Sequence, residues 1–335
     1  MTEDDIRAHL DALAKPRGSM GRLEDIAVAL AMTQRRIDPS TRPRRLVLFA
    51  GDHGCVADGV SAWPSAVTEM MVAAILAGRA TSSALAAAQD CPLRLVDVGM
   101  AGPRVDSPPA FFRDARVADG TDSLAHRPAM TPAQFDAAWR VGVEEAERAV
   151  GEGARVLIAG EMGIGNTTPA ACLTALLAGI EPDAAVGRGA GADDSVMAAK
   201  RPIVRAAVDR ARTMGDRDGI ASVCGHEIAA MAGFYAAAAA AGVTLLIDGY
   251  VATAAALVAE RLAPGTARAM IAGHRSAEPG HGAALAELAL VPILDWGMRL
   301  GEGSGALVAL PLLDSAAALL TGVARLESIG AVRED

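Results

Sequence analysis

Five short apolar runs punctuate the chain, and each closes on glycine, aspartate or histidine: RLVLFAGDHG (45–54), LRLVDVGM (93–100), RVLIAGEMG (155–163), VTLLIDG (243–249) and ARAMIAGHRS (267–276). Unbroken hydrophobicity, rather than alternation, marks strands covered on both faces, as in a parallel sheet. Helical patterns lie between them: SAVTEMMVAAILAG (65–78), TPAQFDAAWRVGVEEAERAV (131–150) and SVCGHEIAAMAGFYAAAAA (222–240). Alternation of this kind predicts a doubly wound α/β domain. Such folds bind ligands where the carboxyl ends of the strands meet the following loops, and the polar clusters sit there. The ends differ. Residues 3–35 read as two helices interrupted by KPRGSMG, and 305–327 as further helix, so a small helical unit built from both termini is expected. Residues 101–130, rich in Pro, Asp and Arg, read as a long loop, and no repeat is found.

One stretch tests whether the chain is soluble. IAAMAGFYAAAAAAGVTLLI (228–247) runs twenty residues without a charge, which is membrane-spanning length. It is mostly Ala and Gly and is broken by Gly242, so it reads as a buried helix followed by a strand. No membrane association is expected. With 52% hydrophobic but only 3% aromatic residues, the interior must be built from Ala, Val, Leu, Ile and Met. A net charge of −9 argues against nucleic-acid binding, which needs a basic stripe with interleaved aromatics. Cys55, Cys91, Cys172 and Cys224 form no CxxC pair and read as free thiols in a reducing cytoplasm. The acidic N-terminus lacks the apolar core of a signal peptide.

The chemistry concentrates in two glycine-rich loops. In GEMGIGNTTPAA (160–171), Thr168 can cap and Pro169 suits the first helical turn. Free N–H groups at that helix start, after Gly163 and Gly165, would make an anion site. An ordinary strand–turn–helix with packing glycines reads equally well. It is neither a Walker loop nor a dinucleotide fingerprint. In MRLGEGSGA (298–306), Glu302 stands between two helix breakers. It is either a surface loop glutamate or one of a pair with Glu161 doing acid–base work on one small ligand. Asp52 and His53 read as loop-holding groups, while His274, Ser276, Glu278 and Lys200 add polar groups at other strand ends. LLIDGYVATA (245–254) lacks the paired acids and Thr-Gly loop of enzymes that use phosphoribosyl pyrophosphate, so a ribosyl phosphate moved here has another donor.

Taken in order, KPRGSMGRLE (15–24), AGDHG…GVSAWPSAVTEMM (50–71), GEMGIGNTTPAA, GRGAGADD (187–194), EIAAMAG (227–233), GHRSAEPGH (273–281) and MRLGEGSGA resemble the nicotinate-nucleotide–dimethylbenzimidazole phosphoribosyltransferase family. The resemblance spans about residue 15 to 325. It implies a Rossmann-like three-layer α/β catalytic domain (36–304), with a small helical domain from residues 1–35 and 305–335. It implies a homodimer without cofactor or metal. The implied reaction moves 5-phosphoribose from nicotinate mononucleotide to a benzimidazole nitrogen, giving α-ribazole 5′-phosphate and nicotinate. The family's general base falls on Glu302 and its second active-site glutamate on Glu161. Phosphate and ribose contacts fall on Gly163, Gly165, Asn166, Thr167, Ser276 and Lys200, and the base pocket on Ser61 and Glu69.

The implied mechanism is base-assisted displacement. Removing the benzimidazole N–H proton makes the other nitrogen a better nucleophile toward ribose C1′, and a carboxylate in an apolar pocket is a stronger base than one in water. Glu161 would stabilise the oxocarbenium-like state or position the ribose. Four departures bear on the base. Trp63-Pro64 and Glu69-Met70 stand where the family usually has Tyr-Pro and Gln-Met, Ala190 replaces threonine, and Gly273 replaces serine. An acidic Glu69 in the base pocket would favour bases carrying an exocyclic donor. The alternatives are the same transfer to adenine, another benzimidazole or a phenol, and a non-catalytic nucleotide-binding regulator.

Overall fold

Every one of the five apolar runs becomes a strand. In the computed structural model, which describes residues 1–330, the chain opens with α1 (Glu3–Asp11) and α2 (Arg22–Gln34) and enters the sheet at β1 (Arg44–Gly51). Helices α3 (Ala66–Leu76) and α4 (Thr81–Ala88) lead to β2 (Leu93–Gly99) and then a three-residue strand, β3 (Phe112–Asp114). Helix α5 (Pro132–Gly151) crosses to β4 (Val156–Met162). Five helices follow, α6 (Thr167–Leu177), α7 (Pro182–Ala185), α8 (Asp194–Arg212), α9 (Asp216–Val223) and α10 (His226–Ala240), before β5 (Thr244–Ile247). The last elements are α11 (Tyr250–Leu262), β6 (Met270–Ala272), α12 (His281–Glu287) and α13 (Ser304–Gly322). Residues 331–335, the last five of the expected C-terminal helical segment, lie outside the described residues.

The sheet order is β3-β2-β1-β4-β5-β6, and all pairings are parallel. This is the Rossmann-like order. It reverses direction between β1 and β4, so their carboxyl ends open a crevice that no crossover helix covers. The two-residue period of a strand decides the layers. Val47, Phe49, Leu157 and Ala159 point into one core with α5, α6, α8, α10 and α11. Leu46, Leu48, Val156 and Ile158 point into a second core with α1, α2, α3 and α13. Both faces are therefore apolar, which is why the runs read as continuous.

The uncharged stretch 228–247 divides into α10 and β5, with Gly242 in the left-handed conformation between them. The alanines of α10 let it approach α5 closely: a Cβ at Gly142 would overlap the Ala230 carbonyl. Strand β3 falls inside the expected loop 101–130, because three residues beside prolines carry no periodic signal. The chain ends meet. Ala14 N–H donates to the Ala324 carbonyl at 2.8 Å and Leu326 N–H to the Ala12 carbonyl at 3.0 Å. The terminal helices share their core with the sheet's β1 and β4 side chains.

Candidate active site

A cavity of about 390 Å³ opens at the carboxyl end of the sheet, a volume suited to a small organic ligand. Of the residues read as site candidates, it is lined by Ser61, Glu161, Gly163, Gly165, Asn166, Thr167, Ser276 and Glu302. Lys200 and Glu69 are not on its wall.

The two glutamates meet because two loops interlock. Gly160 of β4 lets the second loop lie on the strand, since a Cβ there would come within 2.6 Å of the Glu302 carbonyl carbon. Gly301 has φ +92°, and a Cβ there would strike Glu161 Oε1. Glu302 itself takes φ +58°, a left-handed conformation costly for a residue with a side chain. Asp248, at the end of β5, holds this conformation. Its carboxylate accepts from the N–H groups of Gly303 (3.0 Å), Gly305 (2.7 Å) and Ala306 (3.1 Å), closing the start of α13. His274 Nε2 stands 3.5 Å from the same carboxylate. Burial lowers the proton affinity of that imidazole, but Asp248 outweighs it and the ring is held above its usual value.

Each glutamate has one oxygen committed and one open. Ser82 Oγ donates to Glu302 Oε2 at 2.7 Å, while Oε1 is buried without a partner among the described residues. Asn166 Nδ2 donates to Glu161 Oε2. Burial, then the negative charges of Glu227, Asp248 and Glu302, hold the Glu161 carboxyl well above the usual carboxylate range, against the opposing pull of Asn166. Behind the turn, His53 Nε2 and Glu227 Oε1 pair at 2.9 Å, fully buried. Burial works against a charged His53, but Glu227 raises it net.

The turn after β4 differs from its expected capping. Helix α6 begins at Thr167, so Thr168 lies inside it with Oγ1 buried and unpartnered among the described residues. The side chain at the cap position, Asn166, is turned to Glu161 instead. The N–H groups of Ile164, Asn166 and Thr168 are committed to Thr68 Oγ1 and to the carbonyls of Gly163 and Gly165. Those of Gly165 and Thr167 have no partner among the described residues. Lys200 stands behind them, its Nζ donating to Thr167 Oγ1 at 2.8 Å and to the Gly187 carbonyl at 3.1 Å. Burial lowers its pKa to about 8, although Glu278 pulls the other way. No carboxylate forms an ion pair with it among the described residues. Two N–H groups and a buried ammonium make an anion site. Ser276 is held by its own N–H, which donates to His281 Nδ1 at 2.7 Å. His281 stays neutral, lowered to about 3 by burial and the neighbouring His274.

The opposite wall is apolar, formed by Val60, Trp63, Val67, Met71, Met162 and Leu300. Trp63 Nε1 donates to the Ala190 carbonyl at 3.2 Å, so two of the four departures meet across the mouth. Gly273 lets α13 approach β6, since a Cβ there would lie 3.0 Å from Ala306 Cα. Glu69 is exposed on α3, with its carboxylate beside Gly102. One helical turn cannot present residues 67, 69 and 71 to the same side, and Val67 and Met71 are the pair turned inward. Arg299, at the rim, donates to the Gly189 carbonyl at 2.9 Å and forms no ion pair among the described residues.

Sequence reading missed Asp248, Ser82 and Glu227. Asp248 carried one usable signal, a lone acid at a strand's end. Ser82 carried none, in the alanine-rich TSSALAAA.

Fold and site together define an α/β protein of the ligand-binding Rossmann-like class, with N–H groups at a helix start that are unpartnered among the described residues and two buried glutamates beside them. A family model described as Phosphoribosyltransferase matches residues 1–330. Nicotinate-nucleotide–dimethylbenzimidazole phosphoribosyltransferase of Thermus thermophilus is 45% identical over 94% of this chain and 93% of its own. The protein of that name from Mycobacterium tuberculosis is 48% identical over 97% and 90%. The crystal structure of CobT from Thermus thermophilus superposes with a TM-score of 0.95 at 43% identity, over 99% of both chains. The chain belongs to the nicotinate-nucleotide–dimethylbenzimidazole phosphoribosyltransferase family.

Proposed function

We propose that this protein transfers 5-phosphoribose from nicotinate mononucleotide to 5,6-dimethylbenzimidazole, giving α-ribazole 5′-phosphate and nicotinate for the cobalamin lower ligand. One observation carries the reading. Glu302 is held in a strained backbone conformation by Asp248 and Ser82, with one oxygen buried and unpartnered among the described residues, on the lining of a cavity that has an anion site on one side and an apolar wall on the other. A silent nucleotide-binding regulator has no use for that strain.

The donor's phosphate rests on the N–H groups of Gly165 and Thr167, with Lys200 behind. The planar base lies against Trp63 and Met71. Its N–H proton passes to Glu302 Oε1, and the lone pair of the other nitrogen forms the new bond to C1′ from the face opposite the pyridinium. The old C1′–N bond breaks with its electron pair going to the pyridine nitrogen, which leaves uncharged and needs no general acid. The anomeric carbon inverts. Base assistance of this kind contributes roughly 10² to 10⁴ in rate, and orientation of the two reactants adds to it.

The same reading has the protein working in the cytoplasm as a homodimer, without membrane or nucleic acid. Four buried free thiols suit a reducing compartment. The segment 291–300 exposes Val291, Trp296 and Leu300, a surface that a second copy would cover. The test is nicotinate release from nicotinate mononucleotide on adding dimethylbenzimidazole. Glu302→Gln should fold normally and lose at least about two orders of magnitude in turnover. Absence of nicotinate release by the wild type, whichever base is supplied, ends the reading.

A further inference from the structure

Glu161 lies where three other carboxylates converge and, among the described residues, no cation answers it. A Cβ at Gly301, one residue before Glu302, would strike Glu161 Oε1, Asp248 accepts from the N–H groups of Gly303, Gly305 and Ala306 where the same loop enters α13, and the charge of Glu227 on α10 acts on Glu161 through the buried interior. The charged groups packed around this cluster are already engaged: His53 with Glu227 and His274 with Asp248. Tyr235, also from α10, places a buried hydroxyl, unpartnered among the described residues, below the cluster. Lys200 is committed to Thr167 and Gly187. The protein brings Glu161 a single donor, the Asn166 amide, on Oε2. Its Oε1 has no hydrogen-bond partner among the described residues and faces Gly301.

A carboxylate so placed has lost most of its water and gained neighbours of its own sign, both of which favour the protonated form. Two carboxyl groups sharing one site divide their protons unequally, which is how paired glutamates take different roles. The donor nucleotide adds a phosphate and a ring carboxylate, only partly offset by its pyridinium charge, so its net contribution to the cavity is also negative. Resting on the transfer proposed above, the ribose must lie between the phosphate at Thr167 and the base whose N–H faces Glu302, in the cavity that Glu161 also lines.

We propose that Glu161 enters the reaction as a neutral carboxylic acid and donates a hydrogen bond from Oε1 to a ribose hydroxyl oxygen, leaving Glu302 as the proton acceptor. Glu161 then orients the sugar without adding charge to the site, and its proton stays on it throughout the cycle. It does not stabilise the oxocarbenium-like state as an anion. This gives the two glutamates different protonation states as well as different roles.

The first test does not depend on turnover. Infrared difference spectra of ¹³C-glutamate-labelled wild type and Glu161→Gln, at about pH 7, should show a protonated carboxyl C=O band in the wild type that the variant lacks. Only carboxylate bands at that position would overturn the proposal, even in a protein with full transferase activity. The second test is kinetic. An amide can donate as the neutral acid does, so Glu161→Gln should lose about tenfold in kcat/KM, while Glu161→Ala loses more than about a hundredfold. The wild type should also lose activity as pH rises past the point where Glu161 ionises, and Glu161→Gln should not. Equal losses in the Gln and Ala variants, with the same alkaline behaviour in both, would overturn it. Failure of the substrate reading appears differently, as no nicotinate release by the wild type, and leaves the infrared result readable.

Discussion

Lys200 offers the most direct check on the anion site, because its burial makes it an electrostatic liability to the empty fold. Its pKa is lowered from 10.5 to about 8. At about 1.4 kcal/mol for each factor of ten in proton affinity, that gap is worth about 3 kcal/mol. The sign follows from linkage. Below about pH 8 the ammonium is charged in both the folded and unfolded chains, and the folded protein carries the whole cost of burying it. Above pH 10.5 it is neutral in both and the cost vanishes. Lys200→Met removes this dependence and gives up two hydrogen bonds, to Thr167 and Gly187, worth roughly 1–3 kcal/mol at any pH. The two effects nearly cancel at about pH 7, so the variant should be close to wild type in stability there. By about pH 10.5 the wild type should gain on it by about 3 kcal/mol. Urea denaturation of both proteins from about pH 7 to 10.5 measures the difference. Nicotinate mononucleotide at saturating concentration should raise the wild-type midpoint near neutral pH far more than that of the variant, because its phosphate supplies the missing counter-charge. Parallel stability curves across the pH range would refute the argument for a buried, uncompensated ammonium.

Three more outcomes follow from the site's geometry. Ser82→Ala frees Glu302 Oε2 and should lower kcat by about tenfold with little change in either KM, which steady-state kinetics against both substrates will resolve; a matching rise in KM would point to lost packing instead. Gly301→Ala must take φ +92° with a methyl driven into Glu161 Oε1, so it should lose several kcal/mol of stability by chemical denaturation and retain no measurable transfer. Glu69→Gln should leave product ratios unchanged when dimethylbenzimidazole competes with adenine and 5-hydroxybenzimidazole, whereas Met71→Ala, on the apolar wall, should shift them.

Much of this architecture was legible in one dimension. The five apolar runs mark β1, β2, β4, β5 and β6 because a strand buried on both faces has no polar side to interrupt it. Glu302 stood out because glycines on either side leave a carboxylate no role in helix formation, and Glu161 because it stands on an equally glycine-rich turn. What the sequence could not rank was distance. Nothing in TSSALAAA says that Ser82 will lie 2.7 Å from a glutamate 220 positions away, since that contact exists only once α4 and α13 share a core beneath the sheet. The spacing around Glu69 and Met71 was ambiguous for a related reason. On a helix, neighbours two apart face different ways, and only the docking of α3 against the sheet decided that Met71 enters the cavity and Glu69 meets solvent. Protonation belongs to the same class. A glutamate's proton affinity is set by the charges and water around it, so the state of Glu161 was decided when tertiary folding brought Glu227, Asp248 and Glu302 together and excluded solvent from among them.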